Sequence, residues 1–319
     1  MKNNSIKISK KLIFLLLILF FVYSGCLLFF KDNQKIGLVA TFKINSVEIS
    51  NYLNHLNKER FTEESKESVR NFIKSEFKKY GYNVTEQKTD NGYINIIASK
   101  SVITNEDILI GAHYDTVPDT VGIDDNASGI SALLAIAKYN QNSKVRFVAF
   151  DGEEQGLSGS NYYVKNTKHN PRLAIIFETI GYYSNNPNTQ KFPYFYDILY
   201  RGLYNRLKDN KFRGNFSASV CANNAEFFCN NYEAYGSSLN LEVYTFYIPK
   251  LSFIKNLFPD LLRSDHTPFL AEGIPAIMIT DSGNFRNSNY HKSTDTIDTI
   301  SADFIVKQAN AILAVISNN

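Results

Sequence analysis

Beyond residue 46 the chain runs in two hydrophobic rhythms. Val47–Leu56 and Lys66–Tyr80 place apolar residues at helical spacing. In the second, Val69, Phe72, Ile73 and Phe77 form one stripe, and Gly81 follows as a stop. Short apolar runs of strand type come next at Tyr82–Glu86, Tyr93–Ala98, Ile108–Ala112, Val145–Phe150 and Leu173–Phe177. Two more follow at Val243–Ile248 and Ala276–Thr280. Ser128 is placed to cap a helix reaching about Tyr139. A last helix from Ser301 carries Ile305, Ala309, Ile312 and Ile316 on one stripe. Strands alternating with helices predict an α/β fold: a doubly wound, mixed and mostly parallel sheet flanked by helices. Ligands of such sheets bind in the crevice beyond the carboxyl ends of the strands. Residues 182–242, rich in Asn and Tyr and weakly patterned, read as a surface insertion beside that crevice; residues 182–258 are expected to shape the pocket walls, their aromatics forming either an apolar pocket or a packed insertion, with packing favoured.

The N-terminus follows a different pattern. Lys7, Lys10 and Lys11 precede Leu12–Phe30, 19 residues without a charge, and Lys31 and Asp32 close the run. At about 1.5 Å per residue this length matches the hydrocarbon core of a bilayer. The flanking lysines predict a cytoplasmic stub. The expected organisation is a basic stub at 1–11, a transmembrane signal anchor at 12–30, a linker at 31–46 and one folded domain at 47–319. That domain then lies outside the cytoplasm, periplasmic or extracellular. Ser24-Gly25-Cys26 resembles the end of a lipoprotein processing site, but Leu27–Phe30 continue the apolar run past it. Either reading holds the domain at a membrane.

Composition narrows the chemistry. Hydrophobic residues make up 44% of the 319, enough for a sizeable core, and the net charge is +3. Nearly balanced charge gives no support for nucleic-acid binding, which needs a clustered basic face. The three cysteines, Cys26, Cys221 and Cys229, form no CxxC pair, so a thiolate metal site is not expected. Cys221 and Cys229 are either a disulfide, in an oxidising compartment, or two buried thiols.

Four apolar runs end in ionisable clusters. Ile108–Ala112 leads into His113-Tyr-Asp115, where Asp115 can bond the imidazole and raise its basicity. Gly122-Ile-Asp124-Asp125-Asn-Ala-Ser128 sits just before a helix. Its two adjacent acids exceed what N-capping needs, and one carboxylate there can bridge two cations. Phe147–Phe150 leads into Asp151-Gly-Glu153-Glu154, where one glutamate can hold a metal and its neighbour accept a proton from water. The fourth cluster is Tyr290-His291 through Asp295-Thr296, and Glu178 adds a carboxylate after Leu173–Phe177. Each cluster alone is also compatible with a solvated turn or a surface pair. Together they place two imidazoles and several carboxylates along one inferred sheet edge. Nitrogen and oxygen donors without thiolates suit catalytic zinc.

In order and spacing these motifs resemble the co-catalytic zinc exopeptidases of metallopeptidase family twenty-eight, the aminopeptidase-Y and bacterial secreted aminopeptidase type. The likeness runs from about residue 48 to 317. It implies two zinc ions: His113 and Glu178 on one, Glu154 and His291 on the other, and Asp125 bridging them. It further implies Glu153 as general base and Asp115 as the residue orienting His113. Tyr290 would stabilise the oxyanion, and Arg263 would lie near the substrate. Asp265 and His266 are expected in structural roles. Many members have Asp where this chain has Glu178, which bears on the metal separation and on the grip on a substrate amine. The implied activity is hydrolysis of a peptide substrate, an aminopeptidase first. A one-zinc glutaminyl cyclase, a carboxypeptidase and a non-catalytic ectodomain stand as alternatives, and the sequence does not set an oligomeric state.

Overall fold

In the computed structural model, residues 39–193, 196–248 and 258–318 are described. The expected membrane helix and Cys26 lie outside these residues. Among the described residues no helix is long and apolar enough to cross a membrane.

Eight strands form one sheet: β1 Asn83–Lys88, β2 Ile94–Ser99, β3 Ile108–His113, β4 Val145–Phe150, β5 Leu173–Glu178, β6 Ser217–Ala222, β7 Val243–Ile248 and β8 Ala276–Thr280. Their order is β1-β2-β4-β3-β5-β8-β6-β7. The centre, β4-β3-β5-β8, is parallel. The β1–β2 ribbon joins β4 antiparallel, and the parallel pair β6–β7 joins β8 antiparallel. The sheet is therefore mixed and mostly parallel, as the alternation predicts.

Central strands are buried on both faces, so they read as continuous apolar runs. On β3, Ile108, Ile110 and Ala112 enter the main core and Leu109 a second one. On β5, Leu173, Ile175 and Phe177 divide from Ala174 and Ile176 in the same way. The main core is covered by α1 Ser46–Leu56, α2 Glu63–Lys79, α3 Gly129–Tyr139, α7 Glu226–Ser238 and α9 Ala302–Ser317. The opposite face takes α4 Ser158–Asn166 and α8 His266–Ala271, with α5 Tyr196–Leu199 and α6 Arg201–Asp209 beside β6 and β7. Side-chain caps start three helices: Asn45 for α1, Thr62 for α2 and Ser301 for α9.

Two expectations need correction. Ser128 does not cap α3. Its hydroxyl donates back to the Asp124 carbonyl at 2.6 Å, and Asn126 Oδ1 accepts from Gly129 N instead. Residues 182–242 are not a surface insertion. They contribute β6 to the sheet interior and α7 to the main core. The periodicity was faint because β6 reads Ser-Ala-Ser-Val-Cys-Ala, and its small side chains are buried by what packs on them. The region also holds a disulfide, Cys221–Cys229, joining the end of β6 to α7.

Candidate metal centre

The polar clusters converge at the carboxyl edge of β3, β4, β5 and β8. His113 and Glu178 are the last residues of β3 and β5. Glu153 and Glu154 follow β4 across Gly152. Asp125 comes from the turn before α3, where Asp125 and Asn126 leave helical geometry and their peptide bond is cis. His291 lies in the loop after β8 and adopts a φ of 56°. A non-glycine residue in that left-handed region costs on the order of 1 kcal/mol or more, which the surrounding contacts must offset.

The distances draw two trios that share one residue. His113 Nε2 lies 3.2 Å from Asp125 Oδ1 and 3.4 Å from Glu178 Oε2. His291 Nε2 lies 3.0 Å from Asp125 Oδ2 and 3.3 Å from Glu154 Oε1. In each trio the candidate ligand atoms fall within 4.8 Å of one another. Asp125 thus offers one oxygen to each. His113 Nε2, both Asp125 carboxylate oxygens and Glu154 Oε1 are buried and without a hydrogen-bond partner. Buried polar atoms are normally satisfied. Four orphans aimed at two small volumes, all imidazole nitrogen or carboxylate oxygen, fit a pair of divalent cations such as zinc.

The imidazoles and carboxylates crowded here shift one another's proton affinities. Burial alone would raise the Asp125 carboxyl, but the imidazoles on its two oxygens hold it low. His291, despite partial burial, is pushed up to about 10 by Asp125 and Glu154. Burial opposes a charged His113, yet Glu153, Glu178, Asp115 and Asp125 raise it well above the usual value. Glu154 is raised to about 7, by burial first and by Asp125 next. Burial, with Glu178, Asp265 and Glu154 nearby, lifts Glu153 well above the carboxylate range against the pull of His113.

The supporting shell explains why the trios hold. Asp115 was expected to bond the His113 ring. Its carboxylate also accepts Glu153 N and Glu154 N, each at 3.2 Å. The imidazole Nδ1 lies 3.2 Å from the Asp115 carbonyl and 3.5 Å from its carboxylate. Asp115 therefore fixes the double-glutamate turn as well as the ring. Asp295 accepts from Asp124 N and Asp125 N, which pins the bridging turn. Asn126 ties that turn to β5, donating to Phe177 O and accepting Thr179 N. Ser264 donates to Glu178 Oε2 at 2.7 Å. Asp151 stands apart, held by Lys66 Nζ at 2.8 Å and by Ile94 N.

Tyr290 and Arg263 sit at the rim. The Tyr290 ring stacks on His291 with centroids 3.9 Å apart. Burial, then Asp125, Glu178 and Glu154, keep the phenol protonated. Arg263 donates to Tyr290 Oη at 3.4 Å and to Asn284 at 3.3 Å, and pairs with Asp260 at 3.6 Å. His266 is structural as expected: buried, pushed down to about 4, its Nε2 against Leu261 O at 2.9 Å. Asp265 precedes it in the chain. It is fully buried, both its oxygens lack partners, and burial beside this cluster raises it to about 7.

A cavity of roughly 720 Å³, its open mouth included, adjoins the centre and shares Glu178 and Tyr290 with it. Phe192, Tyr196, Val220, Phe246, Leu261 and Met278 give it apolar walls, and Lys191, Asp260 and Arg263 are also among its lining residues. The aromatics expected to pack together do so: Tyr196 and Phe246 belong to a core cluster, with Phe192 against it. They also wall the cavity.

Residues 93–316, which carry all of these site residues, match Peptidase family M28. The chain belongs to that family. It is thus a metallo-exopeptidase. An uncharacterised protein of Escherichia coli K12, YfbL, is 30% identical over 275 residues, 78% of this chain and 79% of that protein. Aminopeptidase Y of Saccharomyces cerevisiae is 27% identical over 242 residues, 69% of this chain but 38% of the yeast protein. Among solved structures, the LapA aminopeptidase of Legionella pneumophila superposes with a TM-score of 0.64 at 18% identity, covering 86% of this chain and 69% of that one. A glutaminyl cyclase of Porphyromonas gingivalis gives 0.58 at 19% identity over 88% and 98%. At these identities the superpositions establish a shared fold.

Proposed function

We propose that this M28 chain is a two-zinc aminopeptidase that releases N-terminal residues from peptides. The observation that carries the reading is Asp125, whose two buried, otherwise unpartnered oxygens each face a separate ligand trio. His113, Asp125 and Glu178 would hold one ion, and Asp125, Glu154 and His291 the other. When bound, the ions would polarise the scissile carbonyl and supply a hydroxide nucleophile near neutral pH.

The remaining work belongs to side chains. Glu153, on a turn held by Asp115, accepts the proton of the attacking water and returns it to the departing nitrogen. Its raised proton affinity suits the second half of that task. Tyr290, kept protonated, donates to the oxyanion. Arg263 orients the Tyr290 hydroxyl. The carboxylate-lined centre favours a substrate ammonium, and the adjoining apolar cavity takes the N-terminal side chain. Apolar first residues are therefore the favoured substrates.

Membrane tethering through Leu12–Phe30, or through a lipid at Cys26, is the proposed location, with the domain outside the cytoplasm. The Cys221–Cys229 disulfide supports an oxidising compartment.

The test uses the full chain with free and N-blocked aminoacyl anilides, with and without zinc. Glu153→Ala should keep its zinc and lose nearly all turnover. Turnover like the wild type would remove Glu153 from the mechanism. Equal hydrolysis of blocked and free substrates would remove the aminopeptidase assignment. One zinc per chain, with cyclisation of an N-terminal glutamine, would mark a glutaminyl cyclase, whose fold this chain shares.

A further inference from the structure

Arg60 lies outside every motif, in the segment between α1 and α2. Its side chain is fully buried. All of its hydrogen bonds go to main-chain carbonyls. Nε donates to Tyr114 O at 2.7 Å. Nη1 donates to Leu56 O and Lys58 O at 2.8 Å and to Val121 O at 2.6 Å, and Nη2 to Gly122 O at 2.7 Å. Its backbone is tied as well: Arg60 N donates to Thr116 Oγ1 at 3.1 Å, and Thr116 N donates to Arg60 O at 3.2 Å.

A buried guanidinium usually takes a carboxylate partner, because an unpaired buried charge is costly. Here the direct partners are carbonyl dipoles, and the carboxylates act from further away. Burial lowers Arg60 to about 10, while Asp125, Asp115, Asp295 and Glu154 counter that fall. It stays charged at neutral pH beside these carboxylates.

The carbonyls it collects are those of the site's two load points. Tyr114 lies between His113 and Asp115. Val121 and Gly122 lead directly into Asp124 and Asp125. Gly122 has a φ of 50°, and a Cβ there would meet Asp125 O at 2.2 Å and the guanidinium at 3.1 Å. The turn therefore wraps closely round the Arg60 head.

We infer that Arg60 is a positioning residue for the metal pair, clamping the His113–Asp115 segment to the turn that carries the bridging Asp125. This rests on the two-metal reading above. The planar fork is what the job requires: it donates in several directions at once, whereas a lysine ammonium donates three N–H groups from one point. Arg60→Lys thus keeps the charge and loses the clamp. Thr116→Val keeps the guanidinium but removes the hydroxyl that seats the Arg60 backbone, so the clamp is displaced without being deleted.

The test is zinc affinity of the folded full chain, by competition with a chromophoric chelator, with folding checked by circular dichroism. Arg60→Lys should raise at least one zinc dissociation constant by about 10–100-fold, the usual cost of losing an outer-shell partner. Thr116→Val should raise the same constant by a smaller factor that still exceeds about threefold. A purely structural role would lower the melting temperature and leave the affinity of the folded fraction unchanged. Folded variants that bind zinc within about threefold of the wild type would overturn the inference. Should Arg60→Lys not fold, Thr116→Val decides alone. A wild-type chain that binds no zinc would instead overturn the metal reading itself, and this inference with it.

Discussion

Asp115→Asn is the sharpest test of what holds the double-glutamate turn, because it is isosteric and removes the charge. The buried carboxylate accepts two backbone N–H groups, from Glu153 and Glu154, each at 3.2 Å. An amide keeps one oxygen and turns an –NH2 toward the other N–H. One charge-assisted bond is lost and one buried donor is left facing a donor. A hydrogen bond to a charged group contributes about 1.5–3 kcal/mol. At about 1.4 kcal/mol per tenfold, that is roughly 10–150-fold if the whole loss falls on the site. Glu154 is a candidate ligand and Glu153 the candidate base, and both hang on this anchor. Zinc dissociation and kcat should therefore both worsen, each by about one order of magnitude or more. Chelator competition and steady-state kinetics with an aminoacyl anilide measure the two effects. A folded Asp115→Asn chain with zinc affinity and kcat within about threefold of the wild type would refute the reasoning.

Other outcomes follow from the same geometry. Zinc must displace protons from His291, raised to about 10, and from Glu154, raised to about 7, so affinity should climb with pH across neutrality. The expected slope is about tenfold per pH unit for each proton released, and a flat profile between about pH 6 and 9 would contradict it. The apolar cavity should favour N-terminal leucine over alanine by about 2.4 kcal/mol for three extra carbons, roughly 60-fold in kcat/KM. Equal rates on the two anilides, or a preference for glutamate, would empty the cavity of that role. Replacing Cys221 and Cys229 together by serine should lower unfolding stability by about 2–4 kcal/mol, read from urea denaturation, with zinc affinity unchanged. An unchanged midpoint would show that the link between β6 and α7 does little in the folded state.

The candidate metal-binding set was legible because each member stands at a place the sequence marks. His113 and Glu178 close apolar runs that are buried on both faces. Glu153-Glu154 and Asp124-Asp125 are paired acids that ordinary turns do not require. Seven of the eight strands were visible: β3, β4, β5, β7 and β8 read as apolar runs because they are buried along nearly their whole length, whereas β1 is largely exposed and β2 only partly buried. β6 was not, because its Ser and Ala side chains gain their burial from neighbours and not from their own hydrophobicity.

What tertiary structure alone decided was partnership. Sequence places Asp115 two residues from His113 and suggests the ring as its target. The fold brings Glu153 N and Glu154 N to its carboxylate from 38 and 39 residues away. Arg60 left no trace at all, because its partners are backbone carbonyls, which every residue has and no motif can display. Local sequence determines which atoms can ligate, since that is a property of side-chain type. Which of them share Asp125, and what holds them there, depends on distances set only when the sheet edge and its loops are assembled.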